Sequence, residues 1–179
     1  MPESTLSTSS RHMLDDLPLY LPRLFYSFLG VVERKLAESG LDQHLQPGMG
    51  HVLLRLYEHD NCIIKDISRS LSVAGGTLTG LLGRMEKRGL IACRRCREDG
   101  RAVRVALTPL GRSLEPRVRA FHEEVVGIVG GDLSADDVRQ AKHLFGRIFK
   151  SLRDAEEAMR PEPRSAPVKP RTTRRLARN

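Results

Sequence analysis

The chain has 179 residues, 40% of them hydrophobic, with a formal net charge of +8, 4% aromatic residues and no tryptophan. That length suits one core with tails rather than two full domains, and the basic balance points to a polyanion, whose counterions a cationic surface displaces; scarce aromatics favour duplex DNA over stacked single strands. No run approaches the ~20 apolar residues of a membrane span, MPESTLSTSSRH lacks a signal-peptide core, and three cysteines make no disulfide framework, so the chain reads as cytoplasmic and without a membrane partner.

Residues 1–14, rich in Ser and Thr, read as a disordered leader, and a folded domain is expected over 15–158. Leu17, Tyr20, Leu21, Leu24, Phe25, Phe28, Val32 and Leu36 recur at helical spacing, with Gly40 just beyond as a stop. Gln46-Pro47 opens a second helix, Pro47 to Glu58, burying Val52, Leu53 and Leu56. Asp60-Asn61 then offers a cap for a third, Ile63 to Leu71. Ser72-Val73 is a tight turn into a fourth helix, Ala74 to Arg88, so the two short helices make a helix-turn-helix.

After Gly89 the spacing changes. Val103, Val105 and Leu107 alternate with Arg104, Ala106 and Thr108, and the central EDG invites a turn, which predicts a β-hairpin over 90–108: a wing. Thr108-Pro109 caps a long helix whose apolar face runs from Leu110 to Val129, and Ser134 with Asp137 forms a capping box for a last helix carrying Val138 to Leu152. Residues 159–179, with four prolines and a basic excess, read as a disordered arm that either attracts phosphates or is merely solvated. The fold class is thus mainly α with a small β-hairpin wing, a winged helix-turn-helix plus long N- and C-terminal helices, and there are no internal repeats.

The order of elements, with Ile67–Leu71, Thr77, Thr79, Leu81, Arg84 to Gly89-Leu90-Ile91, the EDGR of 98–101 and the VRVALTPLG of 103–111, resembles the multiple antibiotic resistance regulator (MarR) family of bacterial winged-helix transcription regulators. The similarity covers roughly residues 17–155. It implies a homodimer whose outer helices, about 17–38 and 109–158, interleave, with DNA-binding lobes of about 46–108 on the two half-sites of a pseudo-palindromic operator. The function implied is that of a sequence-specific repressor released by a small ligand.

On that reading the fourth helix enters the major groove. Gly75 and Gly76 present backbone N–H groups and allow close approach, Thr77 and Thr79 reach bases or phosphates, and Arg84 clamps a phosphate. Gly80 and Gly83 either extend this bare face or permit tight helix packing. Asp99 and Arg101 match the family's wing motif, the acid bracing the loop and the arginine entering the minor groove; Arg94 and its neighbours either join in or form a solvated charge run. Gly100 departs from the family, which often has another arginine there.

Cys93-Arg-Arg-Cys96 has the spacing of zinc and dithiol sites, but residues three apart on a strand face opposite ways and further ligands are scattered. Flanking arginines should favour thiolate. Ordinary strand cysteines, a redox-sensing pair and a metal site all stay open at this point, with no metal or cofactor required. The family resemblance further implies a cleft for a small aromatic or phenolic ligand, on segments carrying Tyr20, Phe25, His51 and Arg55, with a structural histidine the alternative for His51. No catalytic motif is present, and the reading is of a non-enzyme; the competing possibilities are a thiol oxidoreductase built on CRRC, or a winged helix used only for protein contacts.

Overall fold

The computed structural model describes residues 16–73, 75–96 and 102–159. They fall into two compact units, one ending at Gly131 and the other beginning at Asp132. The leader, the basic arm after Met159, Ala74 and the wing-tip residues 97–101 lie outside the described residues.

Helix α1 spans Leu17–Glu38, with Pro18 in its first turn, where a missing N–H does no harm, and Pro22 further in. It ends where Gly40 takes φ +64°, so that Leu41 N–H reaches back to the carbonyl of Leu36 at 2.9 Å. Of its apolar stripe only Val32 and Leu36 are buried in the single chain, while Leu19, Tyr20, Phe25 and Tyr26 stand exposed.

Helix α2 covers Met49–Glu58 rather than starting at Pro47: Gly48, left-handed at φ +88°, sits before it, so Pro47 belongs to the turn. Helix α3 is Ile64–Leu71 and α4 is Gly75–Lys87. The turn between them places Ser72 at φ +53°, unusual for a residue with a Cβ. Two local bonds hold it: Ser68 Oγ donates to the carbonyl of Val73 at 2.8 Å, and Val73 N–H donates to that of Ser68 at 3.1 Å.

A third strand was not legible in the sequence. Cys62–Ile63 forms β1, which pairs antiparallel with β3 (Val103–Leu107), and β3 pairs on its other edge with β2 (Ile91–Arg95), giving the order β1-β3-β2. Consequently Asp60 caps no helix. Its carboxylate accepts the Leu107 N–H at 2.9 Å and the Asn61 N–H at 2.8 Å, and is ion-paired with Arg112. Burial alone would push this acid's pKa up, but the two N–H groups and the guanidinium outweigh it and hold the pKa low.

The apolar residues read as a single helix after Thr108-Pro109 divide into α5 (Pro109–Ser113) and α6 (Glu115–Gly130), because Pro116 cannot donate a backbone hydrogen bond and forces a restart at Leu114. Thr108 does cap α5, its hydroxyl oxygen accepting the Gly111 N–H at 3.0 Å. Gly111 is required here: a Cβ on it would stand 2.1 Å from the Leu90 carbonyl oxygen. Tyr57 bonds the Gly111 carbonyl at 2.9 Å, which ties α2 to this junction. The core of the unit, including Leu53, Leu56, Ile67, Leu78, Met85 and Val105, lies among α2, α3, α4, α6 and the sheet.

In the second unit α7 runs Ala135–Ala158 behind the anticipated box: Ser134 Oγ accepts Asp137 N–H at 3.2 Å and the Asp137 carboxylate accepts Ser134 N–H at 2.9 Å. Leu144, Phe145, Phe149 and Leu152 form an apolar face, each more than 40% exposed in the single chain.

Candidate nucleic-acid interface and ligand cavity

Helix α4 has two unlike faces. Leu78, Leu82 and Met85, spaced four and three apart, are buried against the lobe; at roughly 1.5–3 kcal/mol per buried side chain they anchor the helix despite its glycines. Gly75, Gly76, Thr77, Thr79, Gly80, Gly83 and Arg84 are all exposed. A Cβ added at Gly75, Gly76 or Gly83 would meet nothing within 4 Å, and one at Gly80 only the Arg84 guanidinium at 3.8 Å. Tight packing within the chain is therefore not why these glycines are there. The bare face opens outward.

Thr79 Oγ1 donates to the carbonyl of Gly75 at 2.7 Å, which leaves its methyl and its oxygen lone pairs to present outward. The first turn of α4 has N–H groups without an intrahelical acceptor, and Gly75 and Gly76 carry no side chain to shield them.

The hairpin register sorts the strand residues between two faces. Ile91 pairs with Leu107 and Cys93 with Val105 on the inner face, while Ala92 pairs with Ala106 and Arg94 with Arg104 on the other. Arg104 also donates to the Asn61 carbonyl at 2.9 Å, which fixes its side chain across β1. The sequence alone did not expose this pairing, because register depends on where the hairpin turns. Asp99 and Arg101 lie outside the described residues.

None of the three cysteines is joined in a disulfide. Cys93 faces inward on β2, half-buried, and Cys96 is buried just past the strand end. The expectation of a thiolate at Cys93 is corrected: burial raises its pKa and the nearby Glu86 carboxylate raises it further, while the flanking Arg94 and Arg95 are exposed on the strand. Glu86 is held there by accepting the Cys93 N–H at 2.8 Å. Among the described residues no three potential metal ligands cluster.

A cavity of about 440 Å³ opens between α1, the 46–48 segment, the start of α2 and α6. Phe25 and His51 line it, as do Phe28, Phe121, His122 and Gln46, which the sequence had not singled out. Tyr20 and Arg55 are not on its wall: Tyr20 is exposed beneath the Arg23 guanidinium, 5.7 Å from its ring centre, and Arg55 pairs with Glu58 at 3.9 Å. Helical spacing explains the misses, since Phe121, His122 and Val125 fall on one side of α6 but sit among residues read only as a core stripe. His51 remains exposed overall, yet loss of water around its ring lowers its pKa and proximity to His122 lowers it further.

The MarR family model matches residues 45–103, which span α2, the helix-turn-helix and β2 and end at the first residue of β3. The chain is 33% identical over 100 residues to an organic hydroperoxide resistance transcriptional regulator of Bacillus subtilis, covering 56% of this chain and 67% of that protein. The chain belongs to the MarR family. This MarR protein is also 32% identical over 99 residues to the transcriptional activatory protein BadR of Rhodopseudomonas palustris, covering 52% and 54% of the two chains. The fold matches that of a MepR–DNA complex of S. aureus with a TM-score of 0.60 and 26% identity, over 74% of this chain and 96% of that one. It is a winged-helix, DNA-binding transcription regulator, and no described helix is long and apolar enough to cross a membrane.

Proposed function

We propose that the protein is a cytoplasmic homodimeric repressor that binds a pseudo-palindromic operator and is released from it by a small aromatic or phenolic ligand. The observation carrying this reading is the outward-facing bare side of α4, whose glycines have no packing role in the chain and so serve close approach to another surface. Gly75, Gly76, Thr77 and Thr79 lie toward base edges, Arg84 toward a phosphate, and Arg94 with Asp99 and Arg101 forms the wing contact. Half-sites lie about one helical turn apart, roughly 10 base pairs.

Dimerisation covers what the single chain leaves bare, the apolar sides of α1, of α6 at Val126, Ile128 and Val129, and of α7. Several relatives are regulators with different named responses: one concerns organic hydroperoxides and another is called an activator, so the sign of regulation and the effector are properties to measure on this chain.

The test is fluorescence anisotropy with duplexes selected from the host genome by the purified protein. Binding should weaken steeply with salt, and Arg84→Ala with Arg101→Ala should each cost about 1–3 kcal/mol. Absence of salt-dependent duplex binding refutes the reading in favour of a protein-contact role. Loss of the arm after Arg160 should lower affinity for all duplexes about equally.

A further inference from the structure

The family assignment leaves open the chemistry of the cavity. Two of its wall residues ionise, His51 on α2 and His122 on α6; α1 and the 46–48 segment contribute no ionisable side chain to it. No charged residue of these helices is on the wall, and three of their cations are paired off it: Lys35 of α1 with Glu38 and Glu124, Arg55 of α2 with Glu58, and Arg119 of α6 with Glu115. The remaining polar side chain on the wall is the Gln46 amide, and Phe25, Phe28 and Phe121 supply flat apolar surface.

An anion entering such a space finds no fixed cation among the described wall residues, and it gives up part of its hydration without a paired charge to replace it. Two neighbouring imidazoles provide a remedy that a wholly apolar cavity lacks. His51 can take a proton, and the neighbouring His122 opposes a second positive charge beside it. In the empty cavity desolvation and mutual proximity keep His51 neutral near pH 7, and the proton has to be acquired on binding.

We propose that this cavity, on which the ligand-release reading above also rests, admits flat apolar ligands in neutral form and admits an aromatic carboxylate only together with one solvent proton, held by the His51–His122 pair. The balance is simple: a carboxylate, a neutral imidazole and one proton become an imidazolium–carboxylate ion pair of zero net charge, with no covalent bond to carbon made or broken. A phenol donates its own hydrogen bond to a neutral imidazole and needs no proton. Aromatic acids therefore become stronger effectors as pH falls, and phenols do not.

The experiment uses the full chain and two probes sharing one ring system, 2-naphthoate and 2-naphthol, in calorimetric titrations run in buffers of different ionisation enthalpy. Naphthoate should take up close to one proton at pH 7.5 and lose about tenfold in affinity from pH 7 to pH 8, whereas naphthol should take up none. In the double variant His51→Gln/His122→Gln, checked for folding by circular dichroism, the naphthoate-to-naphthol affinity ratio should fall at least tenfold, on the order of one pH unit's worth of linkage. Naphthoate binding without proton uptake, or an unchanged ratio in the double variant, overturns the proposal. Binding of naphthol alone even at pH 6 overturns it too but leaves the ligand reading standing. Failure of both probes to bind the wild-type chain removes both.

Discussion

Replacing Gly80 and Gly83 together by alanine should make the free protein more stable and a worse DNA binder. At Gly83 the new methyl meets nothing within 4 Å, and at Gly80 it meets the flexible end of Arg84 at an ordinary 3.8 Å, so neither is opposed by a clash. Both sites are interior to α4 and away from positive φ. What remains is helix propensity, about 0.8–1 kcal/mol per glycine removed, or roughly 1–2 kcal/mol per chain after allowing for imperfect additivity. In a chain of this size that corresponds to about 2–8 °C in Tm. Urea unfolding followed by circular dichroism, at one fixed protein concentration because dimer stability is concentration-dependent, reads the first half of the prediction. Anisotropy with the selected operator reads the second: methyls pressed into a filled groove should cost about 1–3 kcal/mol, as overpacking does elsewhere. A more stable variant that binds operator as tightly as the wild type would show that the bare face serves some purpose other than groove approach. A less stable one would show that it is covered in the folded dimer.

The same substitution at Gly111 should act in the opposite sense: with a Cβ 2.1 Å from the Leu90 oxygen, Gly111→Ala has to displace α5, weakening the Tyr57 and Thr108 bonds there, and should lower unfolding free energy by about 3–5 kcal/mol in the urea assay. A loss below about 1 kcal/mol contradicts the contact. Asp60 has a depressed folded-state pKa, so its contribution is present above the unfolded pKa and disappears as pH falls through the folded one. Asp60→Asn should therefore destabilise by about 1.5–3 kcal/mol at pH 7, and the gap from wild type should close below about pH 4; a gap constant between pH 7 and pH 3 refutes the linkage. Because burial and Glu86 raise the Cys93 pKa, iodoacetamide should alkylate this thiol more slowly at pH 7.5 than it does free cysteine, and Glu86→Gln should quicken the reaction. Mass spectrometry of timed digests checks it, and a rate at or above that of free cysteine defeats the argument.

Long elements with strong periodicity were legible from the residues alone. Val103, Val105 and Leu107 alternate as a half-buried strand must, and the Ser134–Asp137 box announced α7 to the residue. What escaped reading depends on contacts distant in sequence. Cys62–Ile63 is too short to show alternation and is a strand only because β3 lies beside it. Asp60 looked like a helix cap because acids before helices usually are, but the Leu107 N–H, 47 residues on, claimed its oxygen. The apolar spacing from Leu110 to Val129 persists across Pro116, and so concealed the interruption there. At the interface, the identity of the exposed residues of α4 followed from its period, since Leu78, Leu82 and Met85 had to face inward. The Arg94–Arg104 juxtaposition and the meeting of His51 with His122 did not, because each joins two segments whose relative placement only the folded chain sets.

The brief first strand has a bearing on how the lobe tolerates change in length. Helix α3 begins at Ile64, directly after β1, and β1 is locked to the middle strand at Cys62 and Ile63. Adding or removing a residue between Asn61 and Ile64 would thus turn the strand's side chains to the opposite face of the sheet or tear a rung from the ladder. By contrast, the rungs from Ile91–Leu107 to Arg95–Val103 and the bond from Cys96 N–H to the Ala102 carbonyl at 2.8 Å do not involve residues 97–101. Changes of length are therefore least tolerated in the segment around β1.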